Sequence, residues 1–465
     1  MLDRNSFRLS LSWIAAPVLL LAQAPAPTTA RRPVTDEYHG VRVTDDYRWL
    51  EDSSNPAVQP WVASQNAYSR AYLDRLKSRD AIKRDLLAEG KMKSIRYRDL
   101  QVRARLYFLL KVDPARQQPF LVTTPSVDDL TGEKVVVDPN QGNAKGSLSI
   151  DWYVPSLDGK LVAVAMSEGG SEDASLYFYE AATGKQVGEV VPRVNYPTGG
   201  GSVAWLPDGK SVLYTRYPQG QERPQSDANF YQQIYLHRIG TPSSTDVYSL
   251  GKEFPRIAET TLKSDPAAKY VLASVANGDG GEFEHFLRQP DGSWRQITRF
   301  EDGIVSVSIG ADEALYLLSR KNAPRGKVLR MPLTGRSLAD AKLIVAEGRA
   351  SIETPAQDSS DETLLATATK LYIQTIGGGP NQVDIYDHSG KPLGKLPLPA
   401  SSSSGMLGAS GDTVLLGVMG YLNPYAVFRY EGGKDLRATA VRAKPSADLS
   451  GFTWNEPWPN PKTAR

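Results

Sequence analysis

Leu157-Asp158-Gly159-Lys160-Leu161-Val162-Ala163-Val164 and, 50 residues on, Pro207-Asp208-Gly209-Lys210-Ser211-Val212-Leu213-Tyr214 share one pattern: an aspartate-glycine turn running into an apolar strand. Asp-Gly accepts the backbone conformations of a tight reversal, and the apolar run behind it buries a strand. Working outward, weaker copies begin at Asp265 (before Tyr270-Val271-Leu272), Asp312 (before Leu315-Tyr316-Leu317), Asp361 and Asp412. An earlier unit without the aspartate runs Leu106-Tyr107-Phe108-Leu109-Leu110. Successive aspartates lie 50, 57, 47, 49 and 51 residues apart, and the first unit brings the total to seven. Second hairpins recur inside the repeat: Leu176-Tyr177-Phe178-Tyr179 into Thr183-Gly184-Lys185, Val383-Asp384-Ile385-Tyr386 into Ser389-Gly390-Lys391, and Tyr425-Ala426-Val427-Phe428 into Gly432-Gly433-Lys434. About fifty residues hold four strands and three turns, which is one propeller blade. A lone blade cannot bury its faces, so blades must stack on one another. The expectation is an all-β, seven-bladed β-propeller over residues 96–452. A pair of stacked β-sandwiches is the rival, and the near-constant spacing that ring closure requires argues against it.

Composition agrees with this reading and narrows function. The 465 residues carry 54 Lys and Arg against 52 Asp and Glu, a formal net charge of +2, and no cysteine. Balanced charge gives no electrostatic reason to bind nucleic acid. Without cysteine there is no disulfide, thiolate metal site or cysteine nucleophile. No cofactor-binding or metal-ligating pattern is legible, so neither is expected.

Two short regions precede the repeats. Arg4 and Arg8 lead an apolar run, Leu9 to Leu21, broken only by Ser10, Ser12 and Pro17 and closing on Ala22-Gln23-Ala24. This is a secretory signal peptide pattern, too short for a comfortable membrane span, and a permanent amino-terminal anchor is the competing reading. Pro25 disfavours a cut directly after the motif and moves the expected site towards Ala30. Residues 1–30 are therefore read as signal and linker, and the mature protein as periplasmic or secreted, without a membrane partner. Residues 31–95 read as an amino-terminal strand and helices. Asn55-Pro56 is a cap-and-proline start followed by Val58, Trp61, Val62, Tyr68, Tyr72, Leu73 and Leu76 at helical spacing. Asp80 is placed as the cap of a second helix with Ile82, Leu86 and Leu87, which Gly90 ends. The acidic stretch Asp45-Asp46-Tyr47-Arg48-Trp49-Leu50-Glu51-Asp52 meets no ligand spacing and reads as a solvated surface turn.

Several stretches resemble the prolyl oligopeptidase family: Asp36-Glu37-Tyr38-His39-Gly40-Val41, Tyr47-Arg48-Trp49-Leu50-Glu51-Asp52 and Ala63-Ser64-Gln65-Asn66-Ala67-Tyr68 near the start. In the propeller region, Asn195-Tyr196 through Ala204-Trp205, Tyr214-Thr215-Arg216-Tyr217-Pro218 and Gln233-Ile234-Tyr235-Leu236-His237-Arg238-Ile239-Gly240-Thr241 are similar to that family too. The resemblance runs in order from about residue 31 to 452. It implies a serine peptidase that cleaves short peptides after proline, with the propeller restricting access to an α/β-hydrolase domain. The implied partners are short peptides and a separate α/β-hydrolase half.

The chain departs from that pattern at the chemistry. A nucleophile elbow needs G-x-S-x-G on a sharp strand-to-helix turn. Gly169-Gly170-Ser171-Glu172-Asp173 and Gly408-Ala409-Ser410-Gly411-Asp412 both place aspartate where the last glycine belongs, and both read as surface turns. The four histidines, His39, His237, His285 and His388, have no partnered serine in the pattern, so no catalytic residue is assigned. An α/β-hydrolase domain needs on the order of 200 residues, and only the tail 453–465 follows the propeller. The expectation is a chain truncated before that domain and inactive alone. Read from the third base of the Thr453 codon, the codons permitted by TWNEPWPNPKTAR allow V-E-R-T-V-A-K-S-K-D-G-T, which resembles the family's passage into its hydrolase domain. A frameshift is the expected cause, and an ordinary tail the alternative. The acidic segment Ser167-Glu168-Gly169-Gly170-Ser171-Glu172-Asp173 is the candidate rim for peptide contact, its plainer reading being a solvated loop. The other functional reading is a stand-alone propeller that binds peptides or protein partners.

Overall fold

The computed structural model describes residues 25–90, 94–141, 146–355, 361–433, 435–444, 449 and 451–453. The expected signal segment 1–24 and most of the tail lie outside them. The chain divides into two compact units, residues 1–91 and 92–465.

In the first unit, β1 (Val34–Tyr38) pairs with β2 (Val41–Asp45) through His39-Gly40, both at positive φ. That is the two-residue reversal whose twist suits a hairpin. The acidic residues of the hairpin are held by Arg48, whose guanidinium lies 2.5 Å from Asp36 and 3.6 Å from Asp45. They serve a solvated turn, as their spacing indicated.

Helix α1 (Val58–Leu73) starts two residues after Pro56, because Asn55 caps a preceding turn: its side chain accepts the Ala57 N–H and its carbonyl accepts the Val58 N–H. Helix α2 (Arg79–Gly90) opens one residue before Asp80, which sits in its first turn. Residues 27–30 make contacts with this unit. Gln65 donates to the Pro27 carbonyl, Trp61 to the Thr29 hydroxyl and Trp49 to the Ala30 carbonyl. A cut at Ala30 would remove these three hydrogen-bond partners.

The second unit is the seven-bladed β-propeller. Blade 1 comprises Arg96–Arg103, Leu106–Val112, Phe120–Thr124 and Lys134–Val137. Blade 2 comprises Leu148–Pro155, Leu161–Glu168, Ala174–Glu180 and Gln186–Asn195. The remaining blades open on Val203–Trp205, Ala258–Ser264, Ile304–Ile309, Ser351–Ile352 with Leu364–Ala366, and Ser402–Ser410. Every blade is built from consecutive antiparallel strands. First strands of neighbouring blades meet one another, as at Val203–Trp205 and Ala258–Ser264, so the first strand is innermost and borders the central channel.

Four antiparallel strands place the first and third turns of each blade on one face. The second turn and the link to the next blade fall on the other. The chain enters the propeller at Arg96 and leaves it at Arg442 on this second face.

The repeat aspartates work mainly through their side chains. Asp208 accepts the N–H groups of Lys210 and Ser211, and Asp265 those of Ala267 and Tyr270. Asp412 reaches the neighbouring blade and accepts from Thr369. Asp361 does not belong to this series. The corresponding turn of blade 6 is Ala366 to Leu371, where Thr367 takes the aspartate's place and its hydroxyl accepts the Lys370 N–H. Asp361 lies before that strand, at the channel. A hydroxyl can satisfy the same backbone donor, which is why spacing alone misplaced this unit.

Apolar layers fill the space between blades. Ring closure joins Leu100, Leu109 and Phe120 of blade 1 to Leu415, Val427 and Val441 of blade 7. No strand is shared across this seam. The Ala440 N–H donates to the Val127 carbonyl, and Arg429 pairs with Asp128 at 2.8 Å.

Candidate functional site

The innermost strands carry the charged side chains of the channel. On Ala258–Ser264, residues 258, 260 and 262 are buried against the neighbouring blade, while Thr261 and Lys263 on the alternate face are exposed. Lys263 reaches past blade 5 to an ion pair with Glu362 of blade 6. Glu362 is fixed in turn, since its N–H donates to the Met406 carbonyl of blade 7 at 2.7 Å. The Asp361 carboxylate lies over the Cα of Gly405, where a Cβ would meet it. Lys263, Asp361 and Glu362 thus tie blades 4, 6 and 7 at the channel wall. Enclosure by the surrounding blades lowers the Lys263 ammonium to about 8 although its side chain keeps solvent contact, and the nearby Arg103 acts in the same direction. Burial raises Asp361, and the charge of Asp99 adds to the shift.

The rim segment 167–173 forms the second turn of blade 2, on the face where the chain enters and leaves the propeller. Gly169, Gly170 and Glu172 all take positive φ. The segment is bound from below: Ser167 donates to Asp151 at 2.9 Å, Ser147 to Glu168 at 3.0 Å, and Asn195 to the Glu172 carbonyl at 2.7 Å. Glu168, Glu172 and Asp173 are left exposed, giving an acidic lip.

Asp151, on the innermost strand of blade 2, is raised to about 6, chiefly by burial; the Ser167 hydroxyl opposes the shift and the Glu172 charge adds to it. Because this folded value lies above the ordinary carboxyl value near 3.9, the fold holds the proton more tightly than the unfolded chain. Its stabilising contribution is complete below about pH 4 and is lost as pH rises through about 6. Asp151→Asn is expected to be more stable than the parent at pH 7.5, with the difference shrinking towards pH 4.5. Urea unfolding of both proteins at the two pH values measures this, and parallel pH dependences would refute it.

The sequence-flagged serines and histidines do not converge. Ser171 lies in the rim turn, and Ser410 is exposed at the end of the innermost strand of blade 7. His39 is in the hairpin of the first unit. His237 is buried in blade 3, 2.8 Å from Asp246 and stacked on Phe178 at 5.6 Å. His285 meets Thr298 at 2.7 Å, and burial drives it down to about 3, so it is neutral. His388 meets the Thr367 carbonyl at 3.1 Å and Asp312 at 3.4 Å, joining blades 5 and 6. Three of the four are thus engaged in propeller packing.

Among the described residues, no group of three or more His, Asp and Glu is placed to hold a metal ion, and no helix is long and apolar enough to cross a membrane. Sequence reading missed Asp151, Lys263 and Glu362 as channel residues. The alternation on 258–264 marks Lys263 as outward-facing, but only ring geometry turns that face towards the channel.

Comparison with known proteins matches this geometry. The family described as prolyl oligopeptidase, N-terminal beta-propeller domain, matches residues 27–441. A prolyl endopeptidase of Elizabethkingia meningoseptica is 27% identical over 414 residues, covering 87% of this chain and 55% of the relative. Prolyl oligopeptidase A of Galerina marginata is 20% identical over 427 residues, covering 84% and 55%. A solved prolyl endopeptidase structure superposes with a TM-score of 0.77 at 23% identity, covering 91% of this chain and 61% of that one. Prolyl oligopeptidase B from Galerina marginata, bound to a 35mer hydrolysis and macrocyclization substrate, gives 0.74 at 17% identity, covering 90% and 61%. The chain spans about half the length of the curated relatives it matches.

Proposed function

This chain belongs to the family of prolyl oligopeptidase N-terminal β-propeller domains, and on that premise we propose that it is the substrate-gating part of a serine endopeptidase acting on short proline-containing peptides. The chemistry belongs to an α/β-hydrolase half, and the assembly works outside the cytoplasm. The observation that carries this reading is the ordered match over 27–441 to relatives that this chain covers only to 55%. The channel supports it as well. Its wall carries opposed charges from blades 4 and 6, which suit the polar backbone of an extended peptide.

A second reading, a stand-alone peptide-binding propeller, is favoured by the seam. Its apolar core is drawn from residues of blades 1 and 7, as a ring that closes by itself requires.

Hydrolysis of a chromogenic proline peptide separates the two. The purified chain is expected to be silent, and addition of the polypeptide encoded downstream of residue 465 to restore cleavage that a serine-directed inhibitor abolishes. Persistent silence with that polypeptide supports the binding propeller. Cleavage by the chain alone overturns both.

A further inference from the structure

On the face where the chain enters and leaves the propeller, the seam between blades 1 and 7 opens into a cleft of about 410 Å³. Its apolar floor is made by Val112, Pro119 and the rings of Tyr97 and Tyr425. The floor is held in place: the Tyr97 hydroxyl donates to Glu133 at 2.6 Å, and the Tyr425 carbonyl accepts the Ala443 N–H at 2.8 Å. Three guanidinium groups, those of Arg96, Arg98 and Arg442, stand around it. Arg98 is paired with Asp99 only at 3.6 Å. The side chains of Arg96 and Arg442 have no hydrogen-bond or ion-pair partner among the described residues. The mouth therefore keeps a surplus of positive charge beside a fixed apolar surface.

Guanidinium groups bind carboxylates through paired, directional hydrogen bonds, and an apolar floor strengthens such contacts by excluding water. We propose that this cleft is a docking point for an acidic segment of a partner polypeptide, with carboxylates on the arginines and an apolar side chain on the floor. The inference rests on the reading above for the partner's identity: the catalytic domain. The chain enters and leaves the propeller on this face, at Arg96 and Arg442. Occupation would also bridge the one seam whose two blades are not consecutive in the chain, so docking and ring closure would support each other.

Calorimetric titration of the full chain with the peptide acetyl-Glu-Asp-Leu-Glu-Asp-amide tests the site. The peptide is expected to bind, to weaken with added salt, and to lose about tenfold or more in affinity in the Arg96→Gln/Arg442→Gln double variant. The same peptide with lysine at each acidic position is expected not to bind. Both arginines are exposed, so the double variant should melt with the parent, which confirms that any loss is local. Equal binding of the acidic and basic peptides, no binding of either, or unchanged affinity in the double variant would each overturn the proposal. Arginine-dependent binding with no restored cleavage leaves the cleft standing and removes the catalytic partner. Restored cleavage with no arginine dependence does the reverse.

Discussion

Gly390→Ala is expected to destabilise the propeller by about 3 kcal/mol or more, although it adds a single methyl group to a surface turn. Gly390 closes the outer hairpin of blade 6 at φ +90°. A Cβ there would lie 1.9 Å from the carbonyl oxygen of Ile344 and 2.6 Å from its carbon, on the outer strand of blade 5. Backbone cannot yield as a side-chain tip can, so either the hairpin or the blade contact must shift. Gly209→Ala isolates the conformational part. It sits at φ +60° in an Asp-Gly turn with nothing within 4 Å of the added atom, and its cost should be only about 1 kcal/mol. Urea unfolding of the two variants beside the parent measures the difference. Equal losses would show that turn conformation, not the approach of the neighbouring blade, governs Gly390.

Trp205→Ala is expected to cost about 4 kcal/mol. Trp205 is 2% exposed in the innermost strand of blade 3, edge-on to Phe178 of blade 2 at 6.0 Å, and its indole N–H donates to the Val154 carbonyl at 2.9 Å. Truncation leaves a cavity between two blades and a carbonyl without its donor. Trp205→Phe restores most of the volume but not the donor, so it should lose about 1–2 kcal/mol less than truncation costs overall. Denaturant midpoints of the three proteins give the ranking. If phenylalanine is as damaging as alanine, the hydrogen bond outweighs the packing and the cavity argument fails.

These residues mark how far the sequence could be read. Asp-Gly turns before apolar runs announce their strands, because turn conformation and strand burial are local and leave a local trace. Blade 1 turns without either residue: Ala104 and Arg105 both take positive φ between the paired Arg103 and Leu106. There only the apolar run Leu106 to Leu110 revealed the unit. Blade 6 shows the limit, since Asp361 had the right spacing and the wrong place.

Serines and histidines were legible as residue types, and the absence of a G-x-S-x-G stretch could be read directly. What His237, His285 and His388 do instead could not, because each is bound through the packing of strands that lie apart in the chain.

By itself, the sequence determined the repeat, the number of blades and the faces of their strands, since turn chemistry and alternation act over a few residues. Only the tertiary structure decided which glycine touches a neighbouring carbonyl, which charges meet across the channel, and that Arg96 and Arg442 share one cleft. Those relations join positions 46, 99 and 346 residues apart. They exist only because a ring returns distant segments to the same place, and chain spacing carries no record of that return.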